Sequence, residues 1–276
     1  MRPLRRAIAG EVHRLVSSRE SAGFAPSAPR ADQGFFGPGS VAWRVHGDFT
    51  TMLVGGVSAL LLQMLHPAAL AGVWDHSDFR RDMAGRLRRT AYFLSGTTFG
   101  SRAQALELIA RVRGIHDRVS GVLPDGSAYS ANDPELLTWV HVAGSRSFLQ
   151  SYLRYAERLS RAECDRYFAE TALIAGELGA TGVPTSQHAV EEYLIRMRPQ
   201  LRADDRTRAV AEALFRQPAP SLAQEPVRKL VMSGGIGLLP DWAVRMHGLR
   251  PRSRLGVDAG LKALRTVTAW ALTPGR

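Results

Sequence analysis

Two histidines occupy apolar positions of strongly periodic segments, where an imidazole could serve as a ligand. His116 in RVRGIHDRVSG continues the series Ile109, Val112 and Val119, and His141 stands in the apolar stretch LLTWVHVAG. An imidazole on an apolar helix face needs partners for its nitrogens, commonly a backbone carbonyl or another side chain. Each of the two is therefore interpreted either as a satisfied core residue or as a metal ligand.

A group of cationic side chains stands just before an apolar aromatic run, in MAGRLRRTAYFL at residues 83–94. The group consists of Arg86, Arg88, Arg89 and the adjoining Thr90. Guanidinium groups recognise carboxylates and other electron-rich oxygen groups through directed hydrogen bonds. The cluster is either solvated helix surface or the part of a site that faces an anion or bound oxygen.

Histidine among apolar helices, with arginines and a threonine close by in the sequence, fits a haem site. Haem requires an axial imidazole, an apolar slot for the macrocycle and cations for its two propionates. Motifs for other common chemistries, namely GxSxG, HExxH, the P-loop and the dinucleotide fingerprint, are missing from the sequence. The single cysteine, Cys164, rules out a disulfide within the chain and any site with several cysteine ligands.

Helical periodicity dominates the elements that would position these residues, and no run alternates with period two for long enough to predict a sheet. The predicted helices cover residues 50–66, 102–120, from Asp133 and Pro134 onward, from Ser160 to about Gly179, from about Ser186 to Pro199, near 222–232, near 240–248 and a last basic amphipathic one near 255–271. Pro67 should kink or end the first of them. The sequence therefore predicts an all-α protein with a single helical domain of about eight to ten helices at residues 43–276. An arm rich in Ser, Ala, Pro and Gly is predicted at residues 1–42.

Composition and charge set further bounds on function. The 276 residues are 45% hydrophobic and 22% charged, with a formal net charge of +11. The basic residues are almost all arginines, since Lys229 and Lys262 are the only lysines, and they are spread along the chain. No nucleic-acid-binding motif accompanies them, so we expect a solvated basic surface rather than a nucleic-acid partner.

The longest apolar run, MLVGGVSALLLQMLHPAALAGVW at residues 52–74, is long enough to suggest a membrane span. Gln63, His66 and Pro67 interrupt it and indicate a buried, broken helix instead. Its paired glycines predict close helix packing rather than a phosphate-binding loop. We therefore expect a soluble, cytoplasmic protein, with peripheral contact to a membrane left open.

Several blocks of the chain, within about residues 44–200, resemble a known family. They are GDFTTMLVGGVSALLLQMLHP, HSDFRRDMAGRLRRTAYFLSGTTFG, VRGIHDRVSG, YSANDPELLTWVH and AECDRYFAETALIAGELG followed by VPTS. In this order they resemble the MpaB-type oxygenases, which share a catalytic domain with the latex-clearing rubber oxygenases. The resemblance implies an all-α fold, one b-type haem held by a proximal histidine, and a reaction with dioxygen.

The resemblance also implies roles for particular residues. The latex-clearing members carry a distal motif Arg-x-x-Lys-Thr, which RLRRT matches with Arg86 and Thr90, whereas Arg89 replaces the lysine. A guanidinium stays protonated, so Arg89 is expected to bind a propionate or a substrate oxygen instead of iron. His116 best matches the proximal iron ligand and His141 is the second choice. The acid used as a base by rubber-cleaving members has no clear counterpart here.

The leading hypothesis is a haem b-dependent oxygenase or related oxidoreductase that uses dioxygen on a small apolar substrate, such as an isoprenoid side chain or a secondary metabolite. His116 would hold the iron, while Arg86, Arg89 and Thr90 would position dioxygen or the propionates. The apolar helix with Leu61, Leu62 and Leu65 is expected to form a wall for haem or substrate. Two alternatives stay open: a non-catalytic protein that binds haem or lipid, and a helical bundle without a cofactor.

Overall fold

The chain is almost entirely helical in its computed structural model, which describes residues 34–219, 221, 224–251 and 253–272, together with Arg5 and Gly10. The described residues form twelve α-helices: α1 (Val41–His46), α2 (Phe49–Gln63), α3 (Pro67–His76), α4 (Phe79–Phe99), α5 (Arg102–His116), α6 (Pro134–Tyr155), α7 (Arg161–Leu178), α8 (Gln187–Met197), α9 (Asp205–Phe215), α10 (Glu225–Gly237), α11 (Asp241–His247) and α12 (Arg254–Leu272). The predicted all-α class is confirmed. The helix number exceeds the expected eight to ten partly because α1 and α11 have only six and seven residues.

Two short strands and one 3₁₀ turn complete the described structure. Strand β1 (Ser120–Val122) pairs antiparallel with β2 (Ala128–Ser130), and Gly121 lies opposite Tyr129. Arg198–Gln200 forms the 3₁₀ turn after α8. Three-residue strands are too short to produce a readable period of two, which is why the sequence did not predict this hairpin.

The core is organised around α2 and α6, which pack along each other, with α10 on another side of α2. Asp48 caps α2 by accepting a hydrogen bond from the Thr51 backbone N–H, and Asp133 caps α6 in the same way. A Cβ atom at Gly55 would lie 2.9 Å from Phe148 Cδ1 and 3.0 Å from Phe148 Cα. The prediction that the paired glycines serve close helix packing is thus confirmed at Gly55.

The replacement Gly55→Ala is expected to lower the free energy of unfolding by about 1–3 kcal/mol, because the added methyl group would press on the α6 backbone. The adjacent Gly56→Ala is the matched control. Its Cβ would meet only Phe148 Cε1, at 4.0 Å, and alanine improves helix propensity by up to about 1 kcal/mol. Urea unfolding of both variants measures the difference. Equal destabilisation by the two changes would contradict the packing role of Gly55.

The connection between α2 and α3 turns the chain sharply. The two helices are bent by 104°, and His66 caps α3 by accepting from the Ala68 backbone N–H, with Pro67 at the first helical position. The predicted broken helix is confirmed. No helix within the described ranges is by itself long and apolar enough to cross a membrane, although α2 and α3 together meet that test by length and composition.

Helices α4 and α5 form a hairpin joined by only Gly100 and Ser101. Ser101 and Gln104 make a reciprocal capping box at the start of α5. Near its own start, α4 is interrupted at Asp82, which has φ −135° and ψ 58°. The Asp82 carboxylate accepts a hydrogen bond of 2.7 Å from the Gly85 backbone N–H, so it acts as a cap for the long second part of α4.

Several other details of the structure were not predicted or lie outside the described residues. Helix α9 was not predicted, although Asp204 and Thr207 form a capping box there. Ile115, counted on the apolar face of α5, is 45% exposed. Most of the predicted N-terminal arm lies outside the described residues, and residues 34–40 form turns before α1. The boundary between arm and domain stays a prediction.

Candidate functional site

His116 is the last residue of α5 and lies on the side of that helix that faces the protein. Ala105 and Ile109, on the same face, are buried, and the imidazole itself is half-buried. Its Nδ1 is buried and has no hydrogen-bond partner. Its Nε2 is not one of the buried side-chain atoms without a partner among the described residues. His116 therefore presents Nε2 as the nitrogen with access to surrounding space.

Asn132 lies beside the end of α5, in the segment between β2 and α6. Its Nδ2 donates to Asp117 Oδ1 at 2.7 Å and to the Arg113 carbonyl at 3.4 Å. Its Oδ1 is buried and unpaired, like His116 Nδ1. Burial lowers the pKa of His116, and the side chain of Asn132 partly opposes that shift. The two unpaired atoms thus belong to side chains that interact.

Arg86 is an enclosed cation on α4. Burial lowers the pKa of its guanidinium to about 10, and the positive charge of Arg89 adds to the effect. No carboxylate within the described part of the chain forms an ion pair with it, yet the side chain keeps partial solvent-accessible surface. An enclosed guanidinium without a carboxylate is suited to bind an anion or an electron-rich oxygen.

The other members of the arginine cluster are placed differently. The Arg89 Nη1 lies 3.5 Å from Asp82 Oδ2, and Arg88 Nη2 lies 3.8 Å from Asp82 Oδ1. Arg89 and Thr90 are exposed, and the Thr90 hydroxyl donates to the Arg86 carbonyl at 3.2 Å. The structure therefore brings Arg89 to Asp82 and leaves Arg86 as the enclosed cation of the motif.

Arg86 and His116 stand at similar distances along the chain from the turn between α4 and α5. Arg86 lies 14 residues before Gly100, and His116 lies 15 residues after Ser101. Both residues lie far from this turn, Arg86 near the start of the long second part of α4 and His116 at the end of α5.

His141 belongs to a second buried group, closer to the turn of the hairpin. Its Nε2 is sealed from solvent and has no partner. The neighbouring His46 contacts Thr98 Oγ1 through Nδ1 at 2.8 Å and the Tyr167 hydroxyl through Nε2 at 3.0 Å. Its ring also packs edge-on against Phe148. His46 is satisfied by two side chains, whereas His141, half-buried like His116, keeps one buried nitrogen without a partner.

The buried histidine pair predicts loss of stability in acid. Burial lowers the pKa of both His46 and His141 to about 4, and their proximity adds to the shift for His46. Because the unfolded state keeps a pKa of about 6.5, their contribution to stability is complete above that pH. It is lost as pH falls from about 6.5 toward about 4, at up to about 3 kcal/mol per residue.

Urea unfolding between about pH 7.5 and about pH 4.5 measures this loss. His141→Gln should give a flatter pH dependence than the natural chain, because one proton-binding site is removed from the unfolded state. His188→Gln, on the exposed surface of α8, is the matched control and should leave the buried pair's contribution intact. The same curve for His141→Gln and the natural chain would contradict the assignment.

The apolar wall predicted from Leu61, Leu62 and Leu65 is wrong as stated, because all three side chains are fully buried in the core and offer no surface to a ligand. Other apolar side chains of α2 and α4 are only partly buried: Met52, Leu53, Leu60, Leu87, Phe93 and Leu94. These residues can supply the apolar contact surface that the hypothesis requires.

The remaining candidate groups have structural partners. His66 caps α3, and His247 Nε2 contacts the Leu61 carbonyl at 2.7 Å. His76 contacts the Ser120 carbonyl, and Asp75 accepts from the Tyr129 hydroxyl at 2.8 Å. Cys164 is buried, which raises the pKa of its thiol. Among the residues that the structure describes, no group of three or more His, Cys, Asp or Glu side chains could hold a metal ion.

A surface cleft of about 570 Å³ lies elsewhere, between α8 and α11. It is lined by Ile195, Arg198, Pro199, Trp242, Arg245 and Met246. None of the residues predicted to bind a cofactor lines it.

Comparison with protein families places this arrangement in context. Residues 43–270 match the model of the family described as ER-bound oxygenase mpaB/B'/rubber oxygenase, catalytic domain. The chain belongs to this family. The resemblance seen in the sequence blocks is thereby confirmed, and it extends through most of α12. No curated protein and no solved structure matches the chain.

Membership of the mpaB/rubber oxygenase family supports oxygenase activity in general, with dioxygen and a substrate as partners. The sequence did not reveal that Asn132 lies beside His116 or that His46 contacts Tyr167. Asn132 stands in a stretch read only as the start of a helix, and its nearness to His116 depends on how the β-hairpin folds back. His46 gave no periodic signal because α1 has only six residues.

Proposed function

We propose that this chain is a haem b-dependent oxygenase that acts on a small apolar substrate, isoprenoid-like or a secondary metabolite. The single observation that carries the proposal is the enclosed guanidinium of Arg86, which has no carboxylate partner among the described residues. His116, with one accessible ring nitrogen, is the candidate axial ligand. The family match supports the oxygenase part of the proposal.

The donor set suits haem better than iron held by side chains alone. Haem needs only one or two protein ligands, because the macrocycle supplies four nitrogens, whereas the described residues offer no cluster of three ligating side chains. His116 Nε2 would be the axial ligand. Arg86 would meet a propionate or an oxygen atom, and the partly buried apolar side chains of α2 and α4 would supply the contact surface.

When bound, haem iron supplies the chemistry with dioxygen. The protein's own residues would hold and orient the reactants. Arg86 is a permanent donor, because even with a pKa of about 10 it stays protonated near neutral pH. The Thr90 hydroxyl, one turn along α4 from Arg86, could exchange its bond to the Arg86 carbonyl for one to an oxygen ligand. Apolar side chains would exclude water from the reacting groups.

The test is reconstitution followed by turnover. The protein is expressed with a haem precursor, and its visible spectrum is recorded before and after reduction with dithionite. We expect one b-type haem per chain and consumption of dioxygen with an unsaturated isoprenoid, but not with its saturated analogue. A chain that stays colourless after incubation with haemin would overturn the proposal. Stoichiometric haem without any dioxygen consumption would favour the binding protein considered above.

A further inference from the structure

We infer that Asn132 is a positioning residue for His116, holding its imidazole in the tautomer that leaves Nε2 free to bind iron. The contact would join Asn132 Oδ1, as acceptor, to His116 Nδ1–H, as donor. The inference adds to the proposed function and rests on it in one respect only, namely that haem iron is the group that Nε2 binds.

The orientation of the Asn132 amide is fixed by chemistry. Its two neighbours on one side, the Arg113 carbonyl and the Asp117 carboxylate, are acceptors. Only the NH₂ end of the amide can serve both, so Oδ1 must point away from them. A flipped amide would set its oxygen against two other oxygens.

The same two hydrogen bonds locate Asn132 relative to His116. Arg113 lies one helical turn before His116, and Asp117 is the next residue. An amide that bridges these two positions sits against the last turn of α5. The backbone reinforces this placement, because the Ala131 N–H donates to the Val119 carbonyl at 2.8 Å.

The two unpaired atoms are complementary. Asn132 Oδ1 is a buried acceptor without a donor, and His116 Nδ1 is a buried ring nitrogen without a partner. A buried polar group left unpaired is costly, so a hydrogen bond that joins the two atoms removes both costs. A proton on Nδ1 obliges the neutral ring to leave Nε2 unprotonated, which is the state a metal requires.

Nitrogen NMR of the cofactor-free protein with labelled histidine tests the hydrogen bond directly. Above the pKa of His116, the natural chain should carry its proton on Nδ1. Asn132→Leu should move the ring toward the Nε2–H form. The exchange of Asn132→Asp with Asp117→Asn should restore the Nδ1–H form, because the amide at position 117 can donate to the carboxylate at position 132 and its other oxygen accepts from Nδ1–H. Asp117→Asn, which keeps an acceptor oxygen for the amide's NH₂ end, is the control and should keep the Nδ1–H form. An Nδ1–H ring in Asn132→Leu would overturn the inference.

Haem binding gives the second readout. Asn132→Leu is expected to weaken haem affinity about 10-fold or more, within the range for outer partners of ligating histidines, and the exchange of Asn132→Asp with Asp117→Asn should recover it. A natural chain that binds no haem while its His116 carries the Nδ1 proton would refute the proposed function and leave the hydrogen bond standing. Unchanged haem affinity in Asn132→Leu would instead refute the positioning role.

Discussion

The replacement His116→Ala is expected to yield a protein that folds but no longer holds haem. His116 is half-buried at the end of α5, and removing the ring costs only its inferred hydrogen bond to Asn132, so the helical fold should persist. Bound haem per chain should fall at least about 10-fold, since b-type haem depends on its axial ligand. Visible absorption measures the loss, and far-ultraviolet circular dichroism should keep its helical signal.

Two further histidine variants make this result specific. His141→Ala should keep haem, because the proposed function assigns the iron to His116. His188→Ala, on the exposed face of α8, should match the natural chain. Loss of haem from His141→Ala with retention in His116→Ala would exchange the two assignments.

Arg86→Met should raise stability while it removes activity. The enclosed guanidinium has no carboxylate partner in the described chain, and its depressed pKa reflects the cost of holding that charge inside the protein. A methionine of similar length removes the cost, so the free energy of unfolding should rise by about 1–3 kcal/mol. If Arg86 stabilises charge on a bound oxygen, turnover should fall about 100-fold.

Arg216→Met provides the matched control for that experiment. Arg216 pairs with Glu212 on the surface of α9, where its side chain is 80% exposed. Such surface pairs contribute about 0–1 kcal/mol, so stability and turnover should both stay close to those of the natural chain. A destabilised Arg86→Met with normal turnover would show that Arg86 serves the fold and not the reaction.

Local signals in the sequence predicted a large part of this structure. Capping residues such as Asp133 and Ser160 and the helix-breaking Pro67 act within one turn, so their effects could be read directly. The side of α5 that faces the rest of the protein was also predicted, because Ile109 and His116 recur with the period of a helix. These features depend on neighbours three or four positions apart.

Features that depend on contacts between distant segments could not be predicted in the same way. The burial of Leu61 and Leu62 is decided by the helices on both sides of α2, so their apolar character did not reveal whether a ligand could reach them. Likewise RLRRT does not say which arginine turns inward. That choice follows from Asp82, whose carboxylate interrupts α4 and lies near Arg88 and Arg89.

Under the proposed function, the two-residue turn at Gly100 and Ser101 makes the number of residues between Arg86 and His116 important for activity. One residue added to α4 between Arg86 and the turn would rotate the guanidinium about 100° around the helix and shift it by about 1.5 Å. Insertions and deletions within these 30 residues should therefore abolish function even where the helices survive. The loop between Val122 and Ala128 carries no such restriction, so changes in length should be tolerated there. A spacing of 30 residues between the arginine and the histidine, with the turn between two helices in the middle, is thus a sequence feature by which the same pattern can be sought in other chains.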